Sequence, residues 1–340
     1  MGRVGALIAR HPIPAFFVVF AVFPFVVPYK ALATQVLIYG LFALGFNLLY
    51  GYTGLLSFGH AAFFGLGAYG TGVTLARLGV TSVWAGLAAG LVLAAAGGAL
   101  IGYLCLRRRG IYFAMLSLAF AQLLYFVGFH LSWITGGDDG LRGIPVLPVG
   151  LAGVRVSIET PLAFYYFVLV VVGAAVAVLK RILDSPFGAV LQAIRENTDR
   201  AAACGYDVTR VKLLSFVFSG AFAGLAGGLN ALYLQVVPID TLYWTTSGQV
   251  VMMALLGGAG TFFGPFVGAG VFLILEDVLS VFTESWPLVV GAIFMAFVRF
   301  LPRGIWGTVV GLEIMGGLDG PPKPPERSHT PRGTRGVARP

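Results

Sequence analysis

The chain is divided by apolar runs that carry no charged side chain, each close to the length a helix needs to cross a bilayer, about 20 residues. Seven such runs lie at 13–29, 31–50, 54–76, 83–106, 111–132, 161–179 and 213–236, and the region 247–302 holds one to three more. A chain patterned this way has few choices of fold. In lipid every backbone N–H and C=O must be paired within the protein, so runs of this length fold as helices. Only 11% of the 340 residues are charged and mean hydropathy is +0.90, against about 25% charged in soluble domains. The expected fold class is all-α, a polytopic transmembrane helical bundle.

Basic landmarks orient the runs. Arg3 and Arg10 start inside, Arg107-Arg108-Arg109 return inside four crossings later, and Lys180-Arg181 do so after six. All three obey the positive-inside rule. The polar stretch 180–212 is then cytoplasmic and the loop 133–160 periplasmic. Arg3 and Arg10, the run Ile13–Tyr29 and Ala31-Leu32-Ala33 together resemble a cleavable signal peptide. Pro14, Pro24 and Pro28 interrupt that run and a second follows at once, which favours a retained first span. After the seventh run, Arg299, Arg303 and the basic tail place the C-terminus inside as well. Gln249–Leu275 and Trp286–Leu301 read as two spans, which is the wrong parity. Glycine-rich Leu255–Gly270 is therefore expected to be broken or re-entrant, for eight or ten crossings in all. Residues 1–303 form the membrane domain, and 304–340 a disordered basic cytoplasmic tail.

Several chemistries are excluded. No Gly-Lys dipeptide occurs, so no Walker A loop is present. The net charge of +8 sits at span ends and in the tail, which speaks for membrane flanks rather than nucleic acid. Cys105 and Cys204 imply no disulfide framework. No metal or cofactor site is expected; Asp138-Asp139 lie in a Gly-rich turn with no other ligand chemistry nearby. No Asp, Glu, Lys or Arg falls near the middle of a predicted span, which disfavours an ion-coupled carrier. The polar groups at depth are neutral: Gln35, Asn47, His60, Gln122, His130, Asn230 and Gln249.

Glycine in the membrane marks a possible path. Gly51–Gly72, GYTGLLSFGHAAFFGLGAYGTG, and Leu255–Gly270, LLGGAGTFFGPFVGAG, each contain Phe-Phe-Gly. Two broken segments in corresponding positions of two halves are what an internal repeat around a translocation path produces. The candidate path residues are Gly59, His60, Phe63 and Gly65 in the first, and Gly257, Gly258, Gly260 and Gly264 in the second. Half-helix N-termini there could hold a carboxylate without a charged side chain. Close packing of small residues between long helices explains the same glycines equally well, and a packed histidine explains His60.

The longest polar interval between apolar runs is Lys180–Lys212, KRILDSPFGAVLQAIRENTDRAAACGYDVTRVK. A helix is expected over Val190–Asn197, and a second from the Asn/Thr/Asp cluster to Gly205, a natural helix stop. Ala201-Ala202-Ala203 would leave a smooth face, rimmed by Arg195, Glu196 and Arg200, that a soluble partner could approach.

Four stretches in order, GYTGLLSFGHAAFFGLGAY, RGIYFAMLSLAFAQLLY, AIRENTDRAAACGYDVTRVKLLSF and LLGGAGTFFGPFVGA, resemble the LivM-type permeases of branched-chain amino-acid ABC importers, over roughly Leu32–Arg303. The resemblance implies a heterodimer with a LivH-type permease, two cytoplasmic ATP-binding subunits and a periplasmic substrate-binding protein, in a bacterial inner membrane. It also implies that the polar loop is the ATPase-coupling segment, with Arg195, Glu196, Asn197, Ala201, Ala202 and Gly205 on its motif. Against the Glu-Ala-Ala-x-x-x-Gly pattern of many importer permeases, the loop lacks the Glu and its Gly comes one residue early. Urea, short amides or other amino acids remain alternative substrates, and an ATP-independent facilitator or a membrane-embedded enzyme remain alternative classes.

Overall fold

A computed structural model of the chain describes residues 12–27, 29–151, 154–301 and 304–308. It is a helical bundle with two short antiparallel strand pairings at one end. The long helices are α1 (Pro12–Val26), α2 (Lys30–Asn47), α3 (His60–Ala76), α4 (Val83–Cys105) and α5 (Ile111–His130). After the one-turn α6 (Ser132–Thr135) come α7 (Pro161–Leu183), the short α8 (Pro186–Glu196) and α9 (Thr198–Ala203), and α10 (Val208–Leu234). The chain then forms α11 (Trp244–Gly257), α12 (Gly264–Phe282) and α13 (Trp286–Phe300). Seven of these, α2, α4, α5, α7, α10, α12 and the one beginning at Trp286, are long and apolar enough to cross a membrane.

Contacts fix the direction of each helix. One end of the bundle carries α8 and α9. At the other, β1 (Leu141–Arg142) pairs antiparallel with β4 (Val236–Val237), and β2 (Val149–Leu151) with β3 (Val154–Val156). Gly51 meets Arg195 at the α8 end, whereas Gly72 meets Leu141 and Val237 at the β end. Followed through such contacts, the described residues pass between the two ends ten times. The turn at 304–308 sits at the α8 end, where Gly304 lies against Gly258.

The second half of the bundle differs from a two-span reading. Gln249–Leu275 is not one span but an antiparallel pair, α11 and α12, around a break at 258–263. The pair can form because glycine lets the backbones touch: a Cβ on Gly257 would stand 1.8 Å from the Gly264 carbonyl oxygen. A second difference follows from the length of α12. It continues past Leu275 to Phe282 and so contains Glu276 and Asp277. These acids lie in its last two turns, and the other charged residues of the ten long helices are likewise near helix ends.

The centre of the bundle is α2, whose membrane window is 89% buried, packed against α10 and α12. Beside it α3, α4 and α10 cross at backbone contact. A Cβ on Gly67 of α3 would lie 2.0 Å from the Gly224 carbonyl oxygen of α10. Lipid offers helices no hydrophobic drive to associate, so close backbone approach supplies the dispersion contacts instead. Gly65, Gly67, Gly70 and Gly72 therefore lie inside one continuous helix, and the irregular part of Gly51–Gly72 is confined to its first residues.

Proline in α1 is compensated by a side chain. Pro24 has no N–H to offer the Phe20 carbonyl, and the buried Tyr165 hydroxyl of α7 donates to that oxygen instead. Phe16 and Phe20 add ring contacts to Phe266 at 5.1 and 5.5 Å. Helix α1 is thereby built into the core. Arg3, Arg10, Arg303 and the tail from 309 onward lie outside the described residues.

Candidate functional site

Helix α2 ends in a π-helical turn, Leu48–Tyr52, a local unwinding that accompanies functional sites. The chain then runs irregularly from Thr53 to Gly59 before α3. Irregular backbone at this depth is stable only when its polar groups are paired, and serines from two helices and from the segment itself do this. Phe58 N–H donates to Ser117 Oγ of α5 at 3.1 Å, Gly59 N–H to Ser57 Oγ at 3.2 Å, and Ala61 N–H to Ser247 Oγ of α11 at 2.8 Å. Thr53 and Ser215 of α10 share a hydroxyl bond of 2.8 Å. At the start of α3 the Ala61 N–H is thus engaged by Ser247, and the Ala62 N–H by the Gly59 carbonyl.

His60, the first residue of α3, is fully buried. Ser219 Oγ donates to Gly45 O at 2.6 Å, so at the 2.7 Å contact with His60 it is the imidazole Nε2–H that donates to Ser219. The rings of Phe46 and Phe63 stand edge-on to His60 at 5.0 and 5.6 Å. The histidine is a packed member of the core whose Nδ1 has no hydrogen-bond partner among the described residues. Phe63 is sealed against Phe216, and Gly65 makes room for Leu242.

The second break, between Gly257 and Gly264, turns through left-handed glycines: Gly258 has φ +114° and Gly260 φ +83°. Thr261 Oγ1 donates to the Gly258 carbonyl at 2.7 Å. The two breaks meet, and the residue that joins them is Asn47. Its Oδ1 accepts from Gly260 N–H and its Nδ2 donates to the Thr261 carbonyl, both at 2.8 Å. Asn47 is fully buried and uses its amide as a two-pronged clamp. The sequence marked Asn47 only as one of seven neutral polar groups at depth; what distinguishes it, a partner 213 residues away, has no local signal.

Beneath the breaks lies the polar loop. Helix α8 starts earlier than expected, at Pro186, because proline fits the first helical turn. Its face of Gly188, Leu191 and Ile194 is buried against the bundle. Asn197 caps α9, its Oδ1 accepting from Arg200 N–H at 2.8 Å, and Gly205 takes φ +90° beyond the end. Ala201 is 4% exposed and belongs to the inner side, so the open face consists of Ala202, Ala203 and Gly205. Glu196 and Asn197 also lie on the solvent side. Arg195 is exposed as well, yet its side chain also turns toward the bundle. Its guanidinium reaches into the bundle and donates to the Gly51 carbonyl, where it meets the negative end of the α2 dipole.

At the opposite end Asp138 and Asp139 form a helical turn between left-handed glycines. Asp139 pairs with Arg142 at 3.1 Å in the open. No metal-ligand cluster of three His, Cys, Asp or Glu side chains occurs among the described residues.

Comparison with known proteins places this arrangement. The family described as the permease component of branched-chain amino acid transport systems matches residues 29–298. The high-affinity branched-chain amino acid transport permease LivM of Salmonella typhimurium is 30% identical over 312 residues, covering 86% of this chain and 73% of its own. LivM of Escherichia coli is 29% identical over 293 residues, covering 81% and 69%. LivH of Escherichia coli is 26% identical over 287 residues, covering 79% and 91%. No solved structure matches the chain significantly. With two helix breaks clamped together inside a polytopic helical bundle and a family match across most of its length, this multi-pass membrane protein belongs to the branched-chain amino acid transport permease family.

Proposed function

We propose that the chain is the translocation subunit of an ATP-binding-cassette importer that carries branched-chain amino acids into the cytoplasm. It pairs with a LivH-type permease in the bacterial inner membrane and receives substrate from a periplasmic binding protein. Two cytoplasmic ATPases dock on the 180–212 loop. The observation that carries this reading is the position of that loop. Its outer face of Ala202, Ala203 and Gly205 is smooth and open, and its inner face touches the end of the bundle where both helix breaks lie. A partner closing on the outer face would push directly on the segments best able to change shape. An external energy source is in keeping with a chain that has no Walker A loop and, among the described residues, no charge near the centre of its helices.

In this mechanism Gly59, His60, Phe63, Gly65, Gly257, Gly258, Gly260 and Gly264 belong to the moving framework. Affinity purification from the host membrane tests the reading. The expected result is co-purification of a nucleotide-binding subunit and a second permease, with leucine uptake into proteoliposomes dependent on ATP. Leucine movement by the chain alone without ATP would show a facilitator instead, and uptake competed by urea or short amides but not by leucine would move the substrate class.

A further inference from the structure

One charged side chain of the loop reaches the backbone of the helix breaks. Arg195 projects from the last turn of α8 and lies across three backbone segments at once. Its guanidinium donates to the Gly51 carbonyl in the π-turn of α2. Its stem lies against Gly54 in the first break, where a Cβ would come 3.2 Å from Arg195 Cγ. Its tip lies against Gly260 in the second break, where a Cβ would come 2.9 Å from Nη1. All three neighbours are glycines, and Gly54 and Gly260 have positive φ, so no side chain stands between the arginine and the backbone. Gly51 and Gly260 are themselves held in register by Asn47.

We propose that Arg195 is the positioning residue that transmits movement of the 180–212 loop to both helix breaks, holding them closed while its guanidinium is seated between Gly51 and Gly260. This rests on the importer reading above and assigns one member of the loop an inward rather than a docking role. A planar cation suits the task. It bonds an exposed helix-end carbonyl while its stem covers glycine backbone. Withdrawing α8 by a few ångströms would unseat it and leave the Gly51 carbonyl free, so that the π-turn and the 258–263 turn could separate. Asn47 is the remaining tie, and its bonds are between neutral groups, the weaker class.

Two measurements test the proposal separately from the importer reading. In the first, the full chain carrying Leu55→Cys and Cys204→Ser is purified in detergent and the rate of reaction with a maleimide is followed. Leu55 is half-buried in the first break. Arg195→Gln should raise the rate about fivefold or more, and Arg195→Lys, which keeps the charge but not the fork, by less. An unchanged rate in both variants overturns the proposal. In the second, the complex with its ATPase subunits is assayed. Arg195→Gln should keep the ATPase subunits bound and hydrolysing ATP while leucine uptake falls about tenfold. Uptake at the parent rate, or loss of the ATPase subunits together with uptake, contradicts it. Should the parent chain bring down no ATPase at all, the importer reading fails, and the labelling result still decides the role of Arg195.

Discussion

Asn47 Oδ1 accepts the backbone N–H of Gly260 at 2.8 Å across 213 residues of sequence. Together with the return bond from Nδ2 to Thr261, it closes a ring between the last residue of α2 and the irregular 258–263 turn. Replacing Asn47 with leucine keeps its approximate volume but leaves a buried N–H and C=O without partners. Each such group costs about 1–3 kcal/mol. We expect Asn47→Leu to lower stability in detergent unfolding by about 2 kcal/mol or more, and Asn47→Asp, which keeps the acceptor, to recover part of it.

The crossing of α3 with α10 is set by backbone contact at Gly67 and Gly224. A valine at position 67 has to push the helices apart along their whole length. Gly67→Val should destabilise the chain by about 1–3 kcal/mol or prevent its accumulation in the membrane, whereas Gly248→Ala, where an added Cβ meets nothing within 4 Å, should be neutral in the same assay.

The Tyr165 hydroxyl serves the carbonyl that Pro24 leaves unbonded. Tyr165→Phe should therefore cost about 1–2 kcal/mol. With Pro24→Ala the Phe20 carbonyl regains a helix N–H, so the cost of Tyr165→Phe should shrink markedly in that background. Equal costs in both backgrounds would show that the hydroxyl acts on something else.

On the outer face of the loop, Ala202→Asp and Gly205→Asp place a carboxylate where a partner would have to approach. Both variants should insert normally and lose the ATPase subunits on purification. Gly205→Asp also strains a residue at φ +90°, so Ala202→Asp is the cleaner test. Intact complexes from both would remove the loop from the docking surface.

Apolar length and basic landmarks made the first seven helices readable to within a few residues, because the bilayer imposes both. The loop helices were readable from their caps, Asn197 and Gly205. What escaped was non-local. Nothing near Asn47 announces a bond to Gly260, and nothing near Arg195 separates an inward guanidinium from a rim charge. The glycines of α3 read as breaks, yet most are contact points between helices, since composition alone does not distinguish a glycine that bends the chain from one that lets another backbone in. Glu276 and Asp277 were assigned beyond the end of a run because hydropathy falls there, while the helix continues to Phe282.

The central claim is that the 180–212 loop faces the cytoplasm and is gripped there by a separate motor. Cys204 is exposed in that loop and Cys105 is buried, so a membrane-impermeant maleimide reports on one site without engineering. The account predicts no labelling of Cys204 in intact spheroplasts, labelling in inverted vesicles, and protection when the ATPase subunits are bound. Labelling from outside the spheroplast would contradict it.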